Sequence, residues 1–148
     1  MNPEIVPDPP RILFVEDDDD VCIMLKIFFT GHGYQVNIAQ LAYTAIEQIK
    51  VNHYDVIYLD QKLPDRNGIE VLVEAVKNNL INGRSVFLLK TTFWDFNTEQ
   101  YNIMKNLPNN LKVEFDDSAL DIEVLWARVN SIVKTLQRSP HEPRPSTT

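Results

Sequence analysis

The chain has 148 residues, 44% hydrophobic and 24% charged, a mixture that suits one globular domain around one core. Lys plus Arg total 14 against 21 Asp plus Glu, and the resulting net charge of −7 lacks the electrostatic footprint of a duplex nucleic-acid binder. One cysteine, Cys22, excludes an intrachain disulfide or a cysteine metal cluster, and no apolar run approaches the ~20 residues that span a bilayer.

The first ten residues, MNPEIVPDPP, carry four prolines and neither the basic start nor the apolar stretch of a signal peptide. Residues 1–10 are therefore expected to be disordered, and the protein to be cytoplasmic. Arg11 to Val15 is a short apolar run of the kind buried on both faces of a parallel sheet. From Asp19 to Thr30 the residues Val21, Met24, Leu25 and Phe28 recur at helical spacing, and Gly31 and Gly33 supply a stop. Tyr34 to Ile38 reads as a second strand, and Leu41 to Asn52 as a helix with Leu41, Ala45, Ile46 and Ile49 on one face. Asp55 to Asp60 is the third strand; a loop with Pro64 and Gly68 leads to a helix near Asn67 to Asn79. Ser85 to Leu89, a polar helix from Asn97 to Asn106, a strand from Leu111 to Phe115 and a helix within Ser118 to Arg138 complete the series. Residues 11–138 are the expected domain. Residues 139–148, with three prolines, are expected to be a disordered tail too short for a DNA-binding output.

Five strand–helix pairs in alternation argue for an α/β fold, a doubly wound parallel sheet with helices on both faces. Ligands in such sheets bind at the carboxyl ends of the strands, where the strand order reverses. That rule singles out Glu16 and Asp17 after the first strand and Asp60 after the third. If these strands are neighbours, three carboxylates converge, and two like charges 4 Å apart repel by about 4 kcal/mol at an effective dielectric of 20. A hard cation such as Mg²⁺ removes that cost and can hold a phosphoryl group beside a carboxylate nucleophile. Asp60 is then the nucleophile, and Glu16 and Asp17 hold the metal. The run Glu16 to Asp20 also reads as the acidic start of a helix, which accounts for Asp18, Asp19 and Asp20. A calcium EF-hand loop is excluded, since its glycine and closing glutamate are missing.

These residues resemble the receiver domain of two-component response regulators. The resemblance rests on Ile12-Leu-Phe-Val-Glu-Asp17, on His32-Gly-Tyr-Gln-Val36, and on Tyr54 to Asp60 with Leu63-Pro64 and Asn67-Gly68. Leu125-Trp-Ala-Arg-Val129 resembles the closing helix. The likeness covers about residues 11 to 138. It implies a flavodoxin-like five-stranded sheet of order 2-1-3-4-5. It also implies that Asp60 accepts a phosphoryl group from a histidine kinase or phosphotransfer protein. Mg²⁺ would be held by Glu16, Asp17, Asp60 and the backbone carbonyl of Lys62, and Pro64 and Gly68 would shape the loop by turn chemistry. The implied product is a signalling state, not an enzyme's turnover.

Two positions depart from that family. Its fourth strand usually ends in Ser or Thr, where this chain has Lys90, with Thr91 next. The lysine that usually follows the fifth strand is replaced by Ser118, in a register supported by Phe115 at the family's switch aromatic. Lys90 could restore the lost charge from the neighbouring strand, or be an ordinary solvated strand-end lysine. Ile23 and Ile27, one turn apart on the first helix, and Trp94 after the fourth strand are candidate partner surfaces. The expected partners are a kinase or phosphotransfer protein and a separate downstream protein, with a homodimer as a further assembly, and neither nucleic acid nor membrane. The main alternative is a phosphorylation-independent pseudo-receiver, favoured by Lys90 and Ser118 and opposed by the intact Glu16, Asp17 and Asp60. A dehalogenase-type phosphatase would need a second Asp where Lys62 stands, and a flavodoxin-like cofactor binder would not place five acids after the first strand.

Overall fold

A computed structural model describes residues 8–81, 84–90, 97–108, 111–117 and 121–138. Strands β1 (Arg11–Val15), β2 (Gln35–Ala39), β3 (Val56–Leu59), β4 (Val86–Lys90) and β5 (Lys112–Asp116) alternate with helices α1 (Asp19–Gly31), α2 (Ala42–Val51), α3 (Gly68–Lys77), α4 (Thr98–Lys105) and α5 (Ile122–Arg138). The strands form one parallel sheet of order β2-β1-β3-β4-β5, the expected doubly wound topology. The helix expected within Ser118 to Arg138 runs from Ile122 to Arg138, and residues 1–7 and 139–148 lie outside the described residues.

Layering explains the strand sequences. Ile12 to Val15, all of β3 and Val86 to Leu89 are buried because helices cover both faces of the central strands. The edge strand β2 alternates between exposed and covered positions until Ala39. Alternate residues feed two cores. Leu13, Val15, Ile57, Leu59, Phe87 and Leu89 pack with α2 and α3, while Ile12, Phe14, Val56, Tyr58, Val86 and Leu88 pack with α1 and α5.

The α1 face differs by one position from the expected one. Cys22, Leu25 and Phe29 are buried, whereas Met24 is exposed and Val21 and Phe28 are half-buried. Leu41, expected on the inner face of α2, is exposed at its N-cap. Asp18 caps α1 by accepting from the Val21 amide at 3.1 Å, and Gly33, at φ +88°, closes the helix in the left-handed conformation that favours glycine. Among the described residues no helix is long and apolar enough to cross a membrane.

Candidate functional site

The ladders of β1 with β2 and of β3 with β1 each continue one residue past the strand and so set the carboxyl edge. The Glu16 amide donates to the Ala39 carbonyl at 3.0 Å, and the Asp60 amide donates to the Val15 carbonyl at 3.0 Å. With Val15 opposite Leu59, Glu16 and Asp60 become next-row neighbours on the α1/α5 side of the sheet. One ligand oxygen from each of Glu16, Asp17 and Asp60 lies within 4.8 Å of the others. Glu16 is 2% exposed, Asp60 is half-buried and Asp17 is exposed, so the cluster opens to solvent on one side. This is the convergence that the strand ends predicted.

The electrostatics of the cluster are unbalanced. Burial pushes the Glu16 carboxyl up to about 8, and hydrogen bonding and charge from Asp60 add to it. The Lys90 ammonium, 3.9 Å from Glu16 Oε1, and the Asp17 amide, 3.0 Å from Glu16 Oε2, pull the other way. Three carboxylates around one small space, one of them driven toward its neutral form, are a donor set suited to a hard divalent cation.

The segment after β3 is braced against this cluster. Lys62 and Asn67 form an isolated bridge, and the Gly68 amide donates to the Gln61 carbonyl at 2.8 Å. Gly68 opens α3 rather than serving as a left-handed turn residue. A Cβ at this position would meet the Asp60 carbonyl oxygen, with the carbonyl carbon only 2.9 Å away, so the residue is small because α3 begins against the Asp60 backbone. Asp65 was not anticipated. Its carboxylate accepts from the amides of Ala42 at 2.8 Å and Tyr43 at 2.9 Å, capping α2 from 23 residues away. Desolvation tends to raise the Asp65 carboxyl, but the amides of Tyr43 and Ala42 outweigh it and hold the group below its ordinary value. The available signal was Leu41, an N-cap residue that cannot cap its own helix.

Lys90 ends β4 with its side chain 15% exposed, beside the acidic cluster. Phe115 lies on β5 opposite Leu89 and is exposed. Asp116, also unanticipated, stands opposite Lys90 and is 4% exposed. Thr91, Trp94 and Ser118 lie outside the described residues. Ile23 and Ile27 are 57% and 70% exposed on the outer face of α1.

Comparison with known proteins agrees with this arrangement. The family model described as the response regulator receiver domain matches residues 12–90. Among curated proteins, the response regulator ArlR of Staphylococcus haemolyticus is 27% identical over 137 residues, 89% of this chain and 55% of that protein. The autoinducer 2 sensor kinase/phosphatase LuxQ of Vibrio parahaemolyticus is 33% identical over 84 residues, 57% of this chain and 10% of that protein. The chain thus spans about half or less of these relatives. A two-component response regulator from Clostridium difficile superposes with a TM-score of 0.68 at 25% identity, covering 88% of this chain and 99% of that one. A CheY-like receiver domain protein from Methanospirillum hungatei JF-1 gives 0.68 at 22% identity, covering 88% and 98%. With the fold, the strand-end acids and the family match in agreement, this chain belongs to the receiver domains of two-component response regulators.

Proposed function

We propose that the domain accepts a phosphoryl group on Asp60 from a histidine kinase or phosphotransfer protein and signals by contact with a separate protein. The observation that carries this reading is the convergence of Glu16, Asp17 and Asp60 within 4.8 Å at the edge where β1 and β3 meet. Glu16, Asp17 and Asp60, with the Lys62 carbonyl, would hold Mg²⁺. When bound, the ion neutralises the charge that develops on the transferring phosphoryl group. An Asp60 carboxylate oxygen forms the new bond to phosphorus as the donor's bond to phosphorus breaks. Lys90 then pairs with the phosphoryl oxygens, a charge-assisted contact in place of the family's usual hydroxyl and lysine. Thr91 is the competing candidate for this contact. The exposed Ile23 and Ile27 on α1 support a docking face for the phosphodonor, and Trp94 is a second candidate contact.

A pseudo-receiver that keeps the fold without phosphorylation is the second reading, favoured by Lys90 at the hydroxyl position and Ser118 at the lysine position. Binding of beryllofluoride with Mg²⁺ separates the two. Wild type should bind and Asp60→Asn should not, with Lys90→Ala weakening binding more than Thr91→Ala. Absence of binding to wild type supports the pseudo-receiver, and equal losses in the two side-chain variants remove the role given to Lys90.

A further inference from the structure

The segment that leads from β2 into α2, Ala39 to Tyr43, touches both loops that carry the proposed Mg²⁺ ligands. Toward β1, the Ala39 carbonyl accepts from the Glu16 amide at 3.0 Å. The Gln40 side-chain amide donates to Asp19 Oδ1 and lies 4.0 Å from the Cys22 sulfur. Cys22 in turn donates from Sγ to the Glu16 carbonyl at 3.1 Å, and from its amide to the Asp18 carbonyl at 2.9 Å. Gln40 thus grips the first turn of α1 where that turn hangs on the Glu16 backbone.

Toward β3, the donors are the amides of Ala42 and Tyr43. The first amides of a helix have no partner within it, and Leu41 at the N-cap has no side-chain oxygen to offer them. They reach instead to the two oxygens of Asp65, at 2.8 and 2.9 Å. Asp65 lies inside the loop that the Lys62–Asn67 bridge closes, so holding Asp65 also holds the backbone from which Lys62 would offer its carbonyl. The Gln40 and Asp65 bonds are exposed or half-buried and modest one by one. Their significance is that they meet in one short segment. The acids of the two loops repel each other, and Mg²⁺ tolerates little error in the spacing of its ligands.

Resting on the reading of Glu16, Asp17, Asp60 and Lys62 as the Mg²⁺ site, we propose that Ala39 to Tyr43 is a clasp across it, with Gln40 and Asp65 as its positioning residues. Gln40 ties the Glu16–Asp17 loop to the segment, and Asp65 ties the Asp60–Lys62 loop to the same segment. The two halves of the site therefore keep the spacing that the ion needs. Neither positioning residue belongs to the carboxylate cluster itself.

The test is a cycle of Mg²⁺ affinities, read by amide NMR titration with Mg²⁺ alone, for wild type, Gln40→Ala, Asp65→Ala and the double variant. Each single variant should bind Mg²⁺ about threefold to tenfold more weakly. The double variant should fall less than about twofold below the weaker single variant, because a clasp cut at one end is already open. Losses that multiply would make the two residues separate supports of their own loops, and an unchanged affinity in either single variant would leave that end without a role; both overturn the proposal. Asp65→Asn keeps an acceptor oxygen without the charge and should retain most of the affinity; a loss as large as that of Asp65→Ala would reduce Asp65 to its charge and overturn the clasp. In wild type, which needs no altered fold, Mg²⁺ should slow hydrogen exchange at the Ala42 and Tyr43 amides, because a clasp that favours the ion is favoured by it in return. Gln40→Ala leaves Asp65 and those amides in place, yet should abolish the slowing. Exchange that Mg²⁺ does not slow in wild type, or slows equally in Gln40→Ala, overturns the proposal. Wild type that binds no Mg²⁺ overturns the reading of the metal site itself, and this inference with it.

Discussion

Glu16 carries the clearest residue-scale prediction, because burial and the adjacent Asp60 raise its carboxyl from 4.5 to about 8. A raised acid favours the folded state when protonated. Its contribution is therefore complete below the unfolded value near 4.5 and is lost as pH rises through about 8. Metal-free wild type should show a falling melting temperature across that window, and Glu16→Gln should flatten this part of the profile. Divalent cations compete with the same proton, so stabilisation by Mg²⁺ should grow as pH rises toward 8. Gly68 is the second sensitive position. Gly68→Ala drives a methyl into the Asp60 carbonyl, and either α3 or the Asp60 backbone must shift. A loss of about 2 kcal/mol or more in urea unfolding, with weaker Mg²⁺ binding, is the expected outcome. An unchanged midpoint would mean that α3 moves away at little cost.

At the scale of elements, the segment between β3 and α3 is tied to α2 by Asp65, whose two oxygens serve the Ala42 and Tyr43 amides. Asp65→Ala should cost about 1 kcal/mol, as lost helix caps do, and speed hydrogen exchange at those two amides. Exchange unchanged at both would show that water replaces the cap. Such a bond joins residues far apart in sequence, so local spacing does not reveal it. The same limit applies to α1. Its helical period was legible, but the buried line through Cys22, Leu25 and Phe29 is out of phase with the expected Val21, Met24, Leu25 and Phe28. Several phases of that helix offer apolar stripes, and only contact with β1 and α5 selects one. The central strands were legible because burial on both faces demands unbroken apolar runs, which leave little ambiguity. The burial of Asp116 was not legible because its place beside Lys90 comes from register across β4 and β5, which β5 itself does not encode.

On the scale of the whole molecule, the sheet order brings the ends of β1 and β3 together and puts β4 and β5 beyond them as a second half-site. The first half was readable from acids at two strand ends. It lies within the stretch that the family model matches, residues 12–90. The departures proposed at Lys90 and Ser118 belong to the second half, and sequence spacing alone does not say what those two positions do. Phosphoryl acceptance by Asp60 is what the proposed function requires of the first half. It is tested most directly by intact-protein mass after incubation with Mg²⁺ and acetyl phosphate, with Asp60→Asn as control. A single phosphoryl-sized gain in wild type, absent from Asp60→Asn, is the predicted result. No gain in wild type, or an equal gain in both proteins, would contradict it.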